Sequence, residues 1–87
     1  MKLQRVLADT ALKLSHSGIE SAARDARILT AHALEVPISD LSLKINDKVS
    51  AEIIFELEKL MLRRINREPI SKILGRRDFW GRTFSIN

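Results

Sequence analysis

Two histidines, His16 and His32, are the only imidazoles in the chain, and there is no cysteine. Imidazole can act as a general base or a metal ligand at neutral pH. His32 lies in the apolar stripe of a helical stretch, between Ile28 and Val36. Asp25 is two turns earlier on the same side, about 10 Å along the axis, too far for a direct hydrogen bond. A metal would need several His or carboxylate partners at helical spacing, and Glu35 at i+3 is the lone one, so His32 reads as a histidine at the edge of a core. Arg64 and Glu68 are a second candidate pair. They fall inside the apolar arc of another helical stretch, four residues apart, where side chains of a helix meet. A charge buried without its partner is costly. Without a nucleophile or cofactor loop nearby, the pair reads as a structural brace.

The remaining chemistry is excluded by what the chain lacks. The three glycines, Gly18, Gly75 and Gly81, are scattered and form no phosphate-binding loop. No Ser/His/Asp set and no pair of acid/base carboxylates can be assembled. Without cysteine there is no thiolate nucleophile, no disulfide framework and no Cys-ligated metal. Eighty-seven residues, 45% hydrophobic and 30% charged, suit one small folded domain. They are too few for a nucleotide-binding sheet with its helices. The first residues carry Lys2 and Arg5 with no apolar run behind them, against a secretory signal. No stretch approaches about 20 apolar residues, against a membrane span. A cytoplasmic location is the expectation.

Helical periodicity organises most of the chain. Leu3, Val6, Leu7, Ala11 and Leu14 share one face of a first helix, which Ser15–Gly18 ends. Ser21 can cap a second helix running to Glu35, with Ala22, Ala26, Ile28, Leu29, Ala33 and Val36 as its stripe and Pro37 as its stop. Ser39 can cap a single turn carrying Leu41 and Leu43. The longest helix spans about Ser50 to Glu68, with Ile53, Ile54, Leu57, Leu60, Met61 and Ile65 as its apolar arc. Pro69 fits the first position of a short helix with Ile70, Ile73 and Leu74, stopped by Gly75. Beyond Gly75 the residues Phe79, Trp80, Thr83, Phe84 and Ile86 favour strand, and Gly81–Arg82 suits a two-residue hairpin turn. The expectation is all-α: a small bundle of four or five helices over residues 1–75, followed by a short β-hairpin linker over 76–87. The strand pattern at Ser85–Asn87 reads as interrupted.

Charge divides the chain unevenly. Met1–Glu58 carries seven Lys/Arg against nine Asp/Glu, net −2, whereas Lys59–Asn87 carries eight against two, net +6. Such a segment attracts a polyanion or an acidic protein face. Phe79 and Trp80 beside Arg76 and Arg77 could stack on bases, although strand aromatics beside a bundle are more often core. A basic RNA-binding module and a helical protein-interaction adaptor are therefore both open readings of the composition.

The stretch Arg64-x-x-x-Glu68-Pro69-Ile70-x-x-Ile73-x-Gly75-x-x-x-Phe79-Trp80-Gly81 resembles the segment closing the N-terminal domain of the HemK/PrmC protein-glutamine methyltransferases. Gly18–Ala22 and Asp25–Leu34 are similar to that family's second-helix segment. Lys72 departs from the family pattern, which commonly has an aromatic residue there. The resemblance implies a parent enzyme that uses S-adenosylmethionine to methylate the glutamine of the Gly-Gly-Gln motif in peptide chain release factors. Its catalytic domain would follow the hairpin, and the family's Asn-Pro-Pro-Tyr signature and Gly-rich cofactor loop are absent from these 87 residues. No catalytic, cofactor-binding or metal-binding role is therefore expected of any residue here. The implied role is recognition of the release factor, with the catalytic domain as a second, intramolecular partner. Arg63, Arg67, Arg76 and Arg77 are the expected partner-facing residues, and Arg64, Glu68, Pro69, Gly75, Phe79 and Trp80 the structural brace. Membrane contact is not expected, and nucleic acid is a less favoured partner.

Overall fold

The computed structural model describes residues 1–75; the expected hairpin over 76–87, with Arg76, Arg77, Phe79 and Trp80, lies outside the described residues. Four α-helices follow in order: α1 (Leu3–His16), α2 (Ala22–Leu34), α3 (Ala51–Ile65) and α4 (Ile70–Leu74), with a 3₁₀ turn at Ile38–Asp40 between α2 and α3. There is no strand among the described residues, only an isolated antiparallel bridge between Lys2 and Lys48. None of these helices is long and apolar enough to cross a membrane.

Helix α2 is the centre of the bundle and packs on α1, α3, α4 and the 3₁₀ turn. Its alanines 22, 26, 31 and 33 are buried, and their small side chains let the neighbouring helices approach. Leu3 and Leu14 of α1, Leu29 of α2 and Leu57 of α3 are the largest fully enclosed apolar side chains.

Three helices close in the same way. After α1, the Ile19 amide donates to the Leu14 carbonyl and the Gly18 amide to that of Ser15. This double bond defines the Schellman turn, with Gly18 at φ +86°. After α2 the pattern repeats, Val36 to Ala31 and Glu35 to His32; after α3 it repeats again, Glu68 to Arg63 and Arg67 to Arg64. The residue that must be left-handed is not glycine in these two cases but Glu35 at φ +60° and Arg67 at φ +71°. Each costs about 1 kcal/mol against glycine. The turn at Arg67 also ends α3 at Ile65, three residues before the expected Glu68.

The helix starts differ more from expectation. Ser50 accepts the Ile53 amide and is a true N-cap. Ser21 stands at the start of α2, but its hydroxyl donates to the Asp25 carboxylate rather than accepting an amide. Ser39 lies inside the 3₁₀ turn, which begins after Pro37; Leu41 is buried and Leu43 is 81% exposed. Pro69 precedes the first residue of α4 instead of occupying it. Helix α1 has no side-chain cap, because the loop before α3 supplies one: the Leu3 and Gln4 amides donate to the carbonyls of Asp47 and Ile45, and the Val49 amide to that of Met1.

Thr30 is fully buried, and its hydroxyl makes no hydrogen bond among the described residues. Replacing it with an isosteric apolar group removes an uncompensated desolvation cost of about 1–3 kcal/mol. Thr30→Val is therefore expected to raise the urea midpoint, whereas Leu29→Ala should lower stability by about 2–5 kcal/mol. Urea unfolding followed by circular dichroism measures both.

Candidate functional site

The charged residues singled out in the sequence converge on one end of the bundle, where α3 turns into α4 and α1 turns into α2. The Asp25 side chain is wholly buried at the start of α2. Its Oδ2 accepts from Arg64 Nε at 2.8 Å and from the Ser21 hydroxyl at 2.9 Å. Its Oδ1 has only a longer contact with Arg24 Nη2, 3.6 Å away. Arg64 also donates through Nη1 to the Glu68 backbone carbonyl at 3.0 Å. One guanidinium thus joins α2, α3 and the turn leading to α4.

Arg64 and Glu68 do meet, but through the Glu68 backbone carbonyl and not its carboxylate. The Glu68 carboxylate instead meets Arg63, with Nε at 3.0 Å and Nη2 at 2.6 Å from its two oxygens. The reason is the turn at Arg67, which takes Glu68 off the helix before i,i+4 geometry applies. Arg63 also reaches the Ile73 carbonyl in α4, 3.5 Å away. Arg67 Nη2 donates to the Ser17 carbonyl at 2.9 Å, at the end of α1.

Arg63 and Arg67, expected to face a partner, therefore both have intramolecular acceptors; Arg63 remains 45% exposed at its side chain. Asp25 went unrecognised as the partner of Arg64 because the two lie 39 positions apart. Its one visible signal was an acid among the alanines of an apolar helix face.

The hydrogen bond from Arg63 holds the Glu68 carboxyl below the usual carboxylate range, aided by the positive charges of Arg63 and Lys72 and opposed by desolvation. The same hydrogen bond pushes the Arg63 guanidinium up. His32 is half-buried beside a cleft of about 250 Å³ that it shares with Glu35, Glu52 and Glu56. Among the described residues no group of three or more His, Asp or Glu side chains could hold a metal ion. On the outer face of α3, Phe55 and Leu62 are about 60% exposed, and Lys59 stacks over the Phe55 ring at 5.0 Å.

Such a molecule is a compact helical domain whose polar side chains hold its own helices together. It belongs to the PrmC N-terminal domain family, whose model matches residues 5–75. The chain is 39% identical over 74 residues to a release factor glutamine methyltransferase of Cereibacter sphaeroides, covering 85% of this chain and 27% of that protein. It is 40% identical over 78 residues to one of Rhodospirillum rubrum, covering 90% and 24%. To a bifunctional methyltransferase of Rickettsia prowazekii it is 36% identical over 85 residues, covering 98% and 16%. The chain thus spans between about a sixth and a quarter of the length of these relatives. No solved structure matches it.

Two measurements test the charged cluster. Arg64→Leu leaves the buried Asp25 carboxylate uncompensated and should cost about 3–5 kcal/mol, part of which Asp25→Ala in the same chain restores; urea unfolding of the four-member cycle gives the coupling. The Glu68 contribution has the sign of a lowered carboxylate: it is present above the ordinary Glu value and lost as pH falls through the lowered folded value. Glu68→Gln should therefore be less stable than the parent at about pH 7, and the difference should vanish on acidification to about pH 2.

Proposed function

We propose that this chain is the substrate-recognition domain of an S-adenosylmethionine-dependent methyltransferase that modifies the Gly-Gly-Gln glutamine of peptide chain release factors in the cytoplasm. The observation that carries the reading is the family match over residues 5–75, together with relatives named release factor glutamine methyltransferase. In this reading residues 1–75 form the recognition bundle and 76–87 the linker to the catalytic domain. The cofactor and the transfer chemistry belong to that domain. In this reading the bundle's part is to bind and orient the protein substrate.

The contact proposed for the factor is the basic segment, Arg63, Arg67, Arg76 and Arg77, against an acidic surface. Exposure is compatible with this for the described members: Arg63 and Arg67 are both exposed although each has an acceptor within the fold. An RNA-binding role draws less support, since the family match and the relatives' names point to a protein substrate. A free-standing adaptor would bind without any link to methylation.

Calorimetric titration of the 87-residue chain with a release factor tests the assignment. Binding is expected to weaken several-fold in Arg76→Ala/Arg77→Ala and with rising salt. Absence of binding to the factor, or binding of RNA with a salt slope of about −0.7 to −0.9 per phosphate contacted, would overturn it.

A further inference from the structure

Helix α4 has five residues, too few to persist without support. Its apolar anchorage is Ile73, 4% exposed, with Ile70 half-buried beside the core. Apolar contact is non-directional, so these two side chains keep α4 on the bundle without fixing its angle. Hydrogen bonds are directional, and those converging on the turn Asn66–Glu68 come from three neighbouring arginines that each grip a different element. Arg63 ties the turn to α4 through the Glu68 carboxylate and the Ile73 carbonyl. Arg64 ties it to α2 through Asp25 and to its own backbone through the Glu68 carbonyl. Arg67 ties it to the end of α1 through the Ser17 carbonyl.

Arg67 shows that the arrangement is specific. It occupies a left-handed position, φ +71°, where glycine or asparagine is easier. Its long side chain crosses to a seat beside Gly18, where an added Cβ would lie 3.3 Å from Nη2. The glycine that closes α1 therefore also leaves room for the guanidinium that closes α3.

We propose that the Asn66–Glu68 turn is a rigid elbow, in which Arg63, Arg64 and Arg67 fix the angle of α4 against α1–α3 and hence the direction in which the chain leaves at Gly75. Arg67 is a positioning residue in this device. The inference concerns geometry within the chain and stands independently of the partner assigned above. If both hold, the elbow sets the angle between the recognition bundle and the domain that follows.

The test uses the intact 87-residue chain, isotopically labelled, with residual dipolar couplings and backbone order parameters. Arg67→Asn keeps the left-handed turn but cannot reach Ser17. The couplings of α1–α3 should still fit their original mutual orientation. Those of Ser71–Leu74 should no longer fit it, and their order parameters should fall from about 0.85 to below about 0.6. Arg67→Lys, which retains one donor at similar reach, should recover much of the original orientation. Glu68→Gln, which weakens the Arg63 arm, should loosen α4 while leaving α1–α3 unchanged. Couplings of α4 that stay the same in both Arg67→Asn and Glu68→Gln would overturn the elbow. So would loss of all four helices together in Arg67→Asn, because Arg67 would then hold the fold and not the angle.

Discussion

A carboxylate with no exposed surface has to be answered by a cation, and Asp25 is answered by Arg64 at 2.8 Å. Much of the architecture at that end follows from satisfying this one requirement. Asp25 sits in the first turn of α2, where the helix dipole favours a negative charge, and Ser21 gives up its usual capping role to donate to it. Arg64 must then lie on the face of α3 that looks at the start of α2, which fixes the rotation of α3 about its axis. With α3 so rotated, Leu57, Leu60 and Met61 fall into the core, and the second arm of Arg64 captures the turn into α4. A buried ion pair gains little over an apolar pair of the same shape. Its effect here is selective: a slip of α3 by one residue would strand the carboxylate, so one register is chosen.

The +6 segment acquires a different meaning once its side chains are placed. Taken as composition, eight cations against two acids suggest a surface offered to an anion. In the folded domain Arg63, Arg64 and Arg67 bind a surface carboxylate, a buried carboxylate and a helix-end carbonyl. Clustered arginine here reflects the fork of donors needed to join several backbone and side-chain acceptors at once.

Much of the fold was legible in the sequence. Period-3.6 patterning placed all four helices, Ser50 announced the start of α3, and Gly18 and Gly75 marked two ends. Local chemistry decides those features, and local chemistry is what a sequence displays. The cap of α1 was not legible, because its acceptors, Ile45 and Asp47, are supplied by a loop more than forty positions away. The partners of Arg64 and Arg67 were hidden for the same reason, at separations of 39 and 50. The Arg64–Glu68 contact was half legible. The spacing brought the two residues together, but the left-handed Arg67 changed which atoms of Glu68 took part. Nothing in the residue type warned of that conformation, since Arg is an ordinary helix former.

Among the described helices α1 emerges before α2, α3 and α4, yet groups at both of its ends still lack partners when it is made. Its opening amides wait for the carbonyls of Ile45 and Asp47, and the carbonyl of Ser17 waits for Arg67. Domains tend to fold as units while the chain emerges. Here α1 has to remain provisional until α2, α3 and the turn at Arg67 have left the ribosome, so a late turn secures an early helix.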